Sequence, residues 1–123
     1  MPPKVVHNPE THGLLIYTWG KNNHKYPKPP GSQKNFNVCG VSYKEVSRGI
    51  DLRTVRGDDD ELYKRISSSD LFQSYIDKIC EKIATENLNV ISVNCSKGRH
   101  RSRAVCRGIL ERYKNGKFIH LDA

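Results

Sequence analysis

The densest group of chemically capable side chains lies at residues 94–102, which read Asn-Cys-Ser-Lys-Gly-Arg-His-Arg-Ser. The glycine allows a tight turn and lets the backbone approach a ligand closely. An arginine here can bind two phosphate oxygens in a forked contact, and the neighbouring cations add positive charge. The candidate ligands of a phosphate-type anion are therefore Asn94, Cys95, Ser96, Lys97, Gly98, Arg99, His100, Arg101 and Ser102.

The elements on either side of this segment support that chemistry. An apolar run at 90–94 predicts a buried strand before the segment, and the pattern at 100–114 predicts a helix after it. In open α/β sheets, ligands collect at the carboxyl ends of the strands. The first amides of a helix have no partner within the helix, and both they and the helix dipole favour an anion. The segment thus predicts a strand–loop–helix anion-binding loop.

The rest of the chain predicts the scaffold of that loop. The acidic run 58–60 is expected to cap a following helix, because acidic side chains suit the positive end of the helix dipole. Strands alternating with helices are typical of an α/β fold, here a three-layer-like sandwich with a small, mainly parallel sheet. Strands are expected at 14–19, 36–43, 90–94 and 118–121, and the main helices at 70–86 and 100–114.

Length and composition restrict the class of protein. The chain of 123 residues suits one domain, predicted at 13–123 after a loose arm at 1–12. We find neither a secretory signal nor an apolar run long enough to span a bilayer, so we expect a cytoplasmic protein without a membrane partner. The formal net charge of +8 favours polyanionic partners. The cysteines and histidines lack metal-ligand spacing, so no metal or cofactor is expected.

Two families have loops of this kind. The segment resembles the Cys-x-x-Gly-x-x-Arg-Ser/Thr signature of cysteine-dependent phosphatases, which Cys95, Gly98, Arg101 and Ser102 satisfy. In such an enzyme a thiolate attacks phosphorus and a general acid protonates the leaving oxygen. Cys95 and Arg101 would then be catalytic, and one of Asp58, Asp59 and Asp60 would supply the acid. Asn94, however, stands where that signature usually has histidine.

The second resemblance spans residues 13–122. The chain resembles the C-terminal domain of the RNase adapter protein RapZ family, whose loop reads Gly-Cys-Thr-Gly-Gly-x-His-Arg-Ser. The first strand ending at Gly20-Lys21, the Leu52-Arg53 stretch with Gly57 and Asp59, and the closing segment 119–122 also resemble that family. The chain departs from the family at 40–42, where Gly-Val-Ser replaces Asp-Val-Arg. It also lacks the family's nucleotide-binding domain, so ATP hydrolysis is not expected.

This resemblance implies a non-catalytic regulatory module. Domains of that family bind an amino-sugar phosphate, bind small RNA and form oligomers. The resemblance places the sugar-phosphate pocket at the 94–102 segment, with Lys21, Arg53 and Gly57 near its rim. It further implies a phosphorylated small molecule, amino-sugar phosphate or nucleotide, as a partner, with RNA and a second copy of the chain as further candidates. The RNA contacts would be Lys21, Lys25, Lys28, Arg103 and Arg107.

Overall fold

A computed structural model describes residues 12–22, 29, 31–41 and 46–121. Within these residues the chain forms four strands and three helices, which we number in chain order. The strands are β1 (Leu14–Gly20), β2 (Lys34–Asn37), β3 (Val90–Cys95) and β4 (Gly116–Leu121), and the helices are α1 (Asp60–Ser67), α2 (Asp70–Glu86) and α3 (Arg101–Arg112).

The strands form one all-parallel sheet in the order β2-β3-β1-β4. The two central strands are the most apolar, as expected where neighbours cover both edges. This α/β fold confirms the predicted class and is consistent with a three-layer-like sandwich. Because all strands run the same way, the carboxyl ends of β1, β2 and β3 meet at one edge of the sheet. The loop between β3 and α3 lies at that edge.

Local signals account for α1 and α2. Asp59 caps α1 by accepting a hydrogen bond from the Glu61 amide, which confirms the capping role predicted for the acidic run. Ser69 caps α2 by accepting from the Phe72 amide. Apolar residues at three- and four-residue steps bury one face of α2, which ends at Asn87 in the left-handed conformation. Its bounds of Asp70–Glu86 match the prediction.

Two predicted elements differ from the structure. The second strand, expected at 36–43, is the shorter β2 (Lys34–Asn37). The Val38 amide still donates to Asn94 O, and the strand ends there because the Val38 carbonyl accepts from the Val41 amide in a turn. The last helix ends at Arg112, not near residue 114, and Gly116 begins β4 instead of stopping the helix.

A single hydrophobic core lies between the helices and the sheet. Ile16 of β1, Ile91 of β3 and Ile109 of α3 are fully buried in it, together with Phe72 of α2. The core places α3 against the central strands, so that the start of α3 meets the ends of β1 and β3. No helix in the described part of the chain combines the length and the apolar character needed to cross a membrane.

Candidate functional site

The loop between β3 and α3, residues 95–102, is shaped by glycine. Gly98 has a φ of +79°, a conformation that glycine adopts without steric cost. A Cβ at Gly98 would lie 2.9 Å from the Gly20 amide nitrogen, and one at Gly20 would lie 2.2 Å from the Lys97 carbonyl carbon. The loop therefore packs directly on the end of β1. The Lys21 amide completes this contact by donating to Cys95 O at 3.0 Å.

The Cys95 thiol lies at the base of the loop and is 3% exposed. Burial raises the pKa of this thiol, but hydrogen bonds from Ser102 and from the Ser102, Gly98 and His100 amides outweigh burial and lower the pKa below its usual value. The Gly98 amide is 3.2 Å and the Ser102 hydroxyl 3.3 Å from the Cys95 sulfur. The amides at the start of α3 thus converge on one point and favour negative charge there.

The start of α3 has no side-chain cap. His100 occupies the N-cap position but its side chain makes no capping hydrogen bond. Its ring instead lies with Nε2 2.7 Å from Leu52 O, in the segment before α1. The first-turn amides of α3 are therefore not covered by a capping side chain, in contrast to those of α1 and α2.

Two arginines of the loop have different surroundings. Arg101 donates through Nη2 to Ser96 Oγ at 3.1 Å and through Nη1 to the Cys39 carbonyl. Its guanidinium therefore braces the loop against the turn that follows β2. The Nε of Arg99 is buried and has no hydrogen-bond partner among the described residues. Burying a cationic donor without a partner is costly, so this atom is suited to an anionic ligand.

A cavity of about 440 Å³ opens over the loop. Within the described part of the chain, four of its lining side chains are cationic and none is a carboxylate. The lining residues from outside the loop are Leu52 and Arg53. Arg53 is paired at 3.2 Å with Asp51, but its side chain is 91% exposed. The lining residues are Leu52, Arg53, Cys95, Ser96, Lys97, Arg99, His100 and Arg101.

The segment containing Gly57 is fixed to the loop by backbone contacts. The Gly57 amide donates to Arg99 O at 2.9 Å, and a Cβ at Gly57 would lie only 1.7 Å from His100 O. Gly57 therefore holds the wall of the cavity in place without lining it. The glycine is required here by close approach and not by an unusual φ.

Besides Gly57 and Gly98, three predicted residues lie outside the cavity lining. Lys21 is exposed at the end of β1, and only its backbone amide contacts the loop. Asn94 is buried, and its side-chain oxygen accepts from Asn35 Nδ2 at 2.8 Å, within the sheet. Ser102 supports the Cys95 thiol from within α3. These residues frame the loop, whereas Lys97, Arg99 and Arg101 face the cavity.

The two arginines expected to contact RNA are engaged in ion pairs. Lys25 and Lys28 lie outside the described residues. Arg103 pairs with Asp58 at 3.4 Å and its side chain is only 17% exposed. Arg107 pairs with Asp60 at 2.7 Å and lies 4.3 Å from the centre of the Tyr63 ring. Both arginines hold the start of α1 against α3.

The acidic residues considered as a general acid have other roles in the structure. Asp58 lies 3.4 Å from Arg103 Nη1 and 3.4 Å from His120 Nε2. The hydrogen bond with His120, assisted by the charge of Arg103, outweighs burial and lowers the pKa of Asp58 to about 2. Asp59 caps α1 and Asp60 pairs with Arg107. None of the three lines the cavity over the loop.

Two contributors to the site were not predicted from the sequence. Leu52 lines the cavity, and its carbonyl meets the His100 ring. Cys39 contributes its carbonyl, which accepts from Arg101 Nη1. A usable signal existed for Cys39, because it follows the strand next to β3 and therefore lies at the same edge of the sheet.

No protein-family model and no curated protein matches this chain. In the described part of the chain, no group of three or more histidine, cysteine or carboxylate side chains could hold a metal ion.

Proposed function

We propose that the protein binds a phosphorylated small molecule over the 95–102 loop, as a non-catalytic module of the kind found in the RapZ C-terminal domain. One observation carries the proposal: among the described residues, the cavity at the start of α3 is lined by four cationic side chains and by no carboxylate. A phosphate supplies negative charge for those side chains and lies at the positive end of the helix dipole. The amides that converge below it donate to the Cys95 sulfur. The resemblance adds an amino-sugar phosphate or a nucleotide as the class of ligand.

Electrostatics favours a dianion in this cavity. Lys97, Arg99 and Arg101 carry like charges on its lining, with the exposed Arg53 at its rim, so an anion held between them lowers their mutual repulsion. A phosphate monoester offsets that repulsion and is further stabilised by the positive end of the α3 helix dipole. The cavity volume of about 440 Å³ lies within the range of small-molecule sites.

Binding without turnover is supported by the position of the acids. A general acid must hold a proton near the working pH and lie within hydrogen-bond reach of the leaving oxygen. Asp58 has a pKa of about 2 and faces Arg103 and His120, so it is ionised at neutral pH and engaged elsewhere.

The test is calorimetric titration with inorganic phosphate and with glucosamine 6-phosphate. We expect Arg101→Ala to weaken both by at least about tenfold, because it removes a charge-assisted contact worth about 1.5–3 kcal/mol. Arg112→Ala is the matched control, since it removes the same charge from the last turn of α3, where Arg112 pairs with Asp77. Lys97→Ala removes an exposed cation from the cavity lining and leaves the hydrogen bond from Arg101 to Ser96 in place.

Unchanged phosphate affinity in both Arg101→Ala and Lys97→Ala would refute the site. Circular dichroism of each variant separates loss of binding from loss of folding.

A cysteine-dependent phosphatase is the second candidate, favoured by the lowered pKa of the Cys95 thiol. A thiolate below a bound phosphate is the arrangement that nucleophilic attack requires. Steady hydrolysis of p-nitrophenyl phosphate by the parent, lost in Cys95→Ser, would establish this activity. Phosphate binding without hydrolysis supports the binding module instead.

RNA is the second ligand class that the resemblance adds. Exposed Lys21 and Lys97 flank the cavity and contribute to the net charge of +8. Gel-shift titrations of single-stranded RNA at increasing salt test this ligand, because phosphate-backbone contacts weaken steeply with salt. We expect Lys21→Glu combined with Lys97→Glu to weaken binding, and equal affinity in this variant would refute a role of this surface.

A further inference from the structure

Strand β2 lies at one edge of the sheet, and part of its backbone faces away from β3. The Val38 amide donates to Asn94 O at 2.8 Å, and residues of a parallel strand alternate in the side to which their backbone bonds. Lys34 and Phe36, which have the same parity as Val38, therefore bond toward β3, and the backbone groups of Asn35 and Asn37 face outward. No strand among the described residues pairs with that outer edge.

A groove runs beside this edge, between β2 and α2. Its volume is about 350 Å³. Phe36 pairs in register with Val93, so its side chain lies on the same face of the sheet as that core residue, toward α2. A strand added to β2 would direct every second side chain into the groove. The apolar lining consists of Phe36, Val38, Tyr75 and Ile79.

Lysines surround the groove. Lys78 and Lys82 stand one turn apart on the exposed side of α2 and line it, and neither has an ion-pair partner within the described ranges. Lys34 also lines it and pairs with Glu86 at 3.1 Å. Pairing of two copies through this edge would bring like charges together, which opposes a second copy of this chain as the occupant.

We propose that the groove beside β2 docks an extended acidic peptide of another protein. The peptide adds a strand to the sheet through the Asn35 and Asn37 backbone, places alternate apolar side chains between Phe36 and Ile79, and presents carboxylates to Lys78 and Lys82. This surface is separate from the 95–102 loop, since the two cavities share no lining residue.

The probe is a capped eight-residue peptide in which glutamate alternates with valine, and its counterpart has lysine in place of glutamate. Fluorescence anisotropy with the full chain should show binding of the glutamate peptide alone. We expect Lys78→Glu with Lys82→Glu to weaken it by at least about tenfold. Lys114→Glu with Lys117→Glu makes the same charge change at exposed positions outside the groove, and it should weaken the peptide by less than about twofold.

Amide hydrogen exchange gives a second readout that charge attraction alone would not produce. Saturating peptide should protect the Asn35 and Asn37 amides, which the strand addition uses. Equal affinity for both peptides, equal weakening by the two double variants, or protection confined to other amides would overturn the proposal. It would also be overturned if the groove variants changed only RNA binding or self-association and left the peptide unaffected. The double variant Lys78→Glu with Lys82→Glu should leave phosphate affinity at the loop unchanged. The proposal of phosphate binding and the proposal of peptide docking are therefore tested independently.

Discussion

Substitution of Gly57 by alanine tests how the wall of the cavity is held against the 95–102 loop. The added Cβ would lie 1.7 Å from His100 O, whereas real Cβ atoms essentially never approach within 3.0 Å. The two backbone segments must therefore separate by at least about 1.3 Å, and both contacting groups are backbone, so no side chain can rotate away. The φ of Gly57 is not positive, so the cost is purely steric.

That separation would disturb two contacts. The hydrogen bond from the Gly57 amide to Arg99 O, now 2.9 Å, would be lost, and the contact of the His100 ring with Leu52 O would be strained. With about 1 kcal/mol for the lost hydrogen bond and about 1–3 kcal/mol for overpacking, we expect Gly57→Ala to lower the free energy of unfolding by about 2–4 kcal/mol.

Urea denaturation followed by circular dichroism measures this loss. Gly13→Ala is the control, because a Cβ at Gly13 has no neighbour within 4 Å. It should change stability by less than about 0.5 kcal/mol. If Gly57→Ala were as stable as the parent to within that amount, the described packing of this segment on the loop would be wrong.

Two further predictions concern titration. The pKa of Asp58 is lowered from 3.8 to about 2, so its contribution to stability is present above pH 4 and is lost as the pH falls toward 2. Solvent screens the partly exposed Asp58, so we expect Asp58→Asn to lower the free energy of unfolding by about 1–2 kcal/mol at pH 7. In urea titrations the same variant should show a weaker dependence of stability on pH between about pH 4 and 2. Asp77→Asn, at a more exposed carboxyl, should leave that slope intact. The second prediction uses alkylation by iodoacetamide, followed by mass spectrometry. Because the pKa of Cys95 is lowered and burial raises that of Cys80, the rate at Cys80 should fall by about 50-fold or more from pH 8.5 to 6.5, and the rate at Cys95 by less. Equal falls would contradict the hydrogen bonding described for the Cys95 sulfur.

The sequence by itself determined the elements whose signals are local. The apolar steps and the serine cap define α2, and the continuous apolar run defines β3, because burial of one helical face or of a whole strand leaves a pattern within a few residues. The composition of residues 94–102 likewise predicted a turn with glycine at its bend, and Gly98 has the expected positive φ. These features depend on neighbours in the chain.

Only the tertiary structure decided which distant groups meet. Strand β2 reads Lys-Asn-Phe-Asn, a polar edge strand without alternation, so its ends are set by hydrogen bonds to β3 and not by its own pattern. Asp58 lies 62 positions before His120, and Leu52 lies 48 before His100, yet each pair is in contact. Such contacts depend on how the sheet orders its strands and where it sets the helices. The spacing of residues along the chain carries no record of that order.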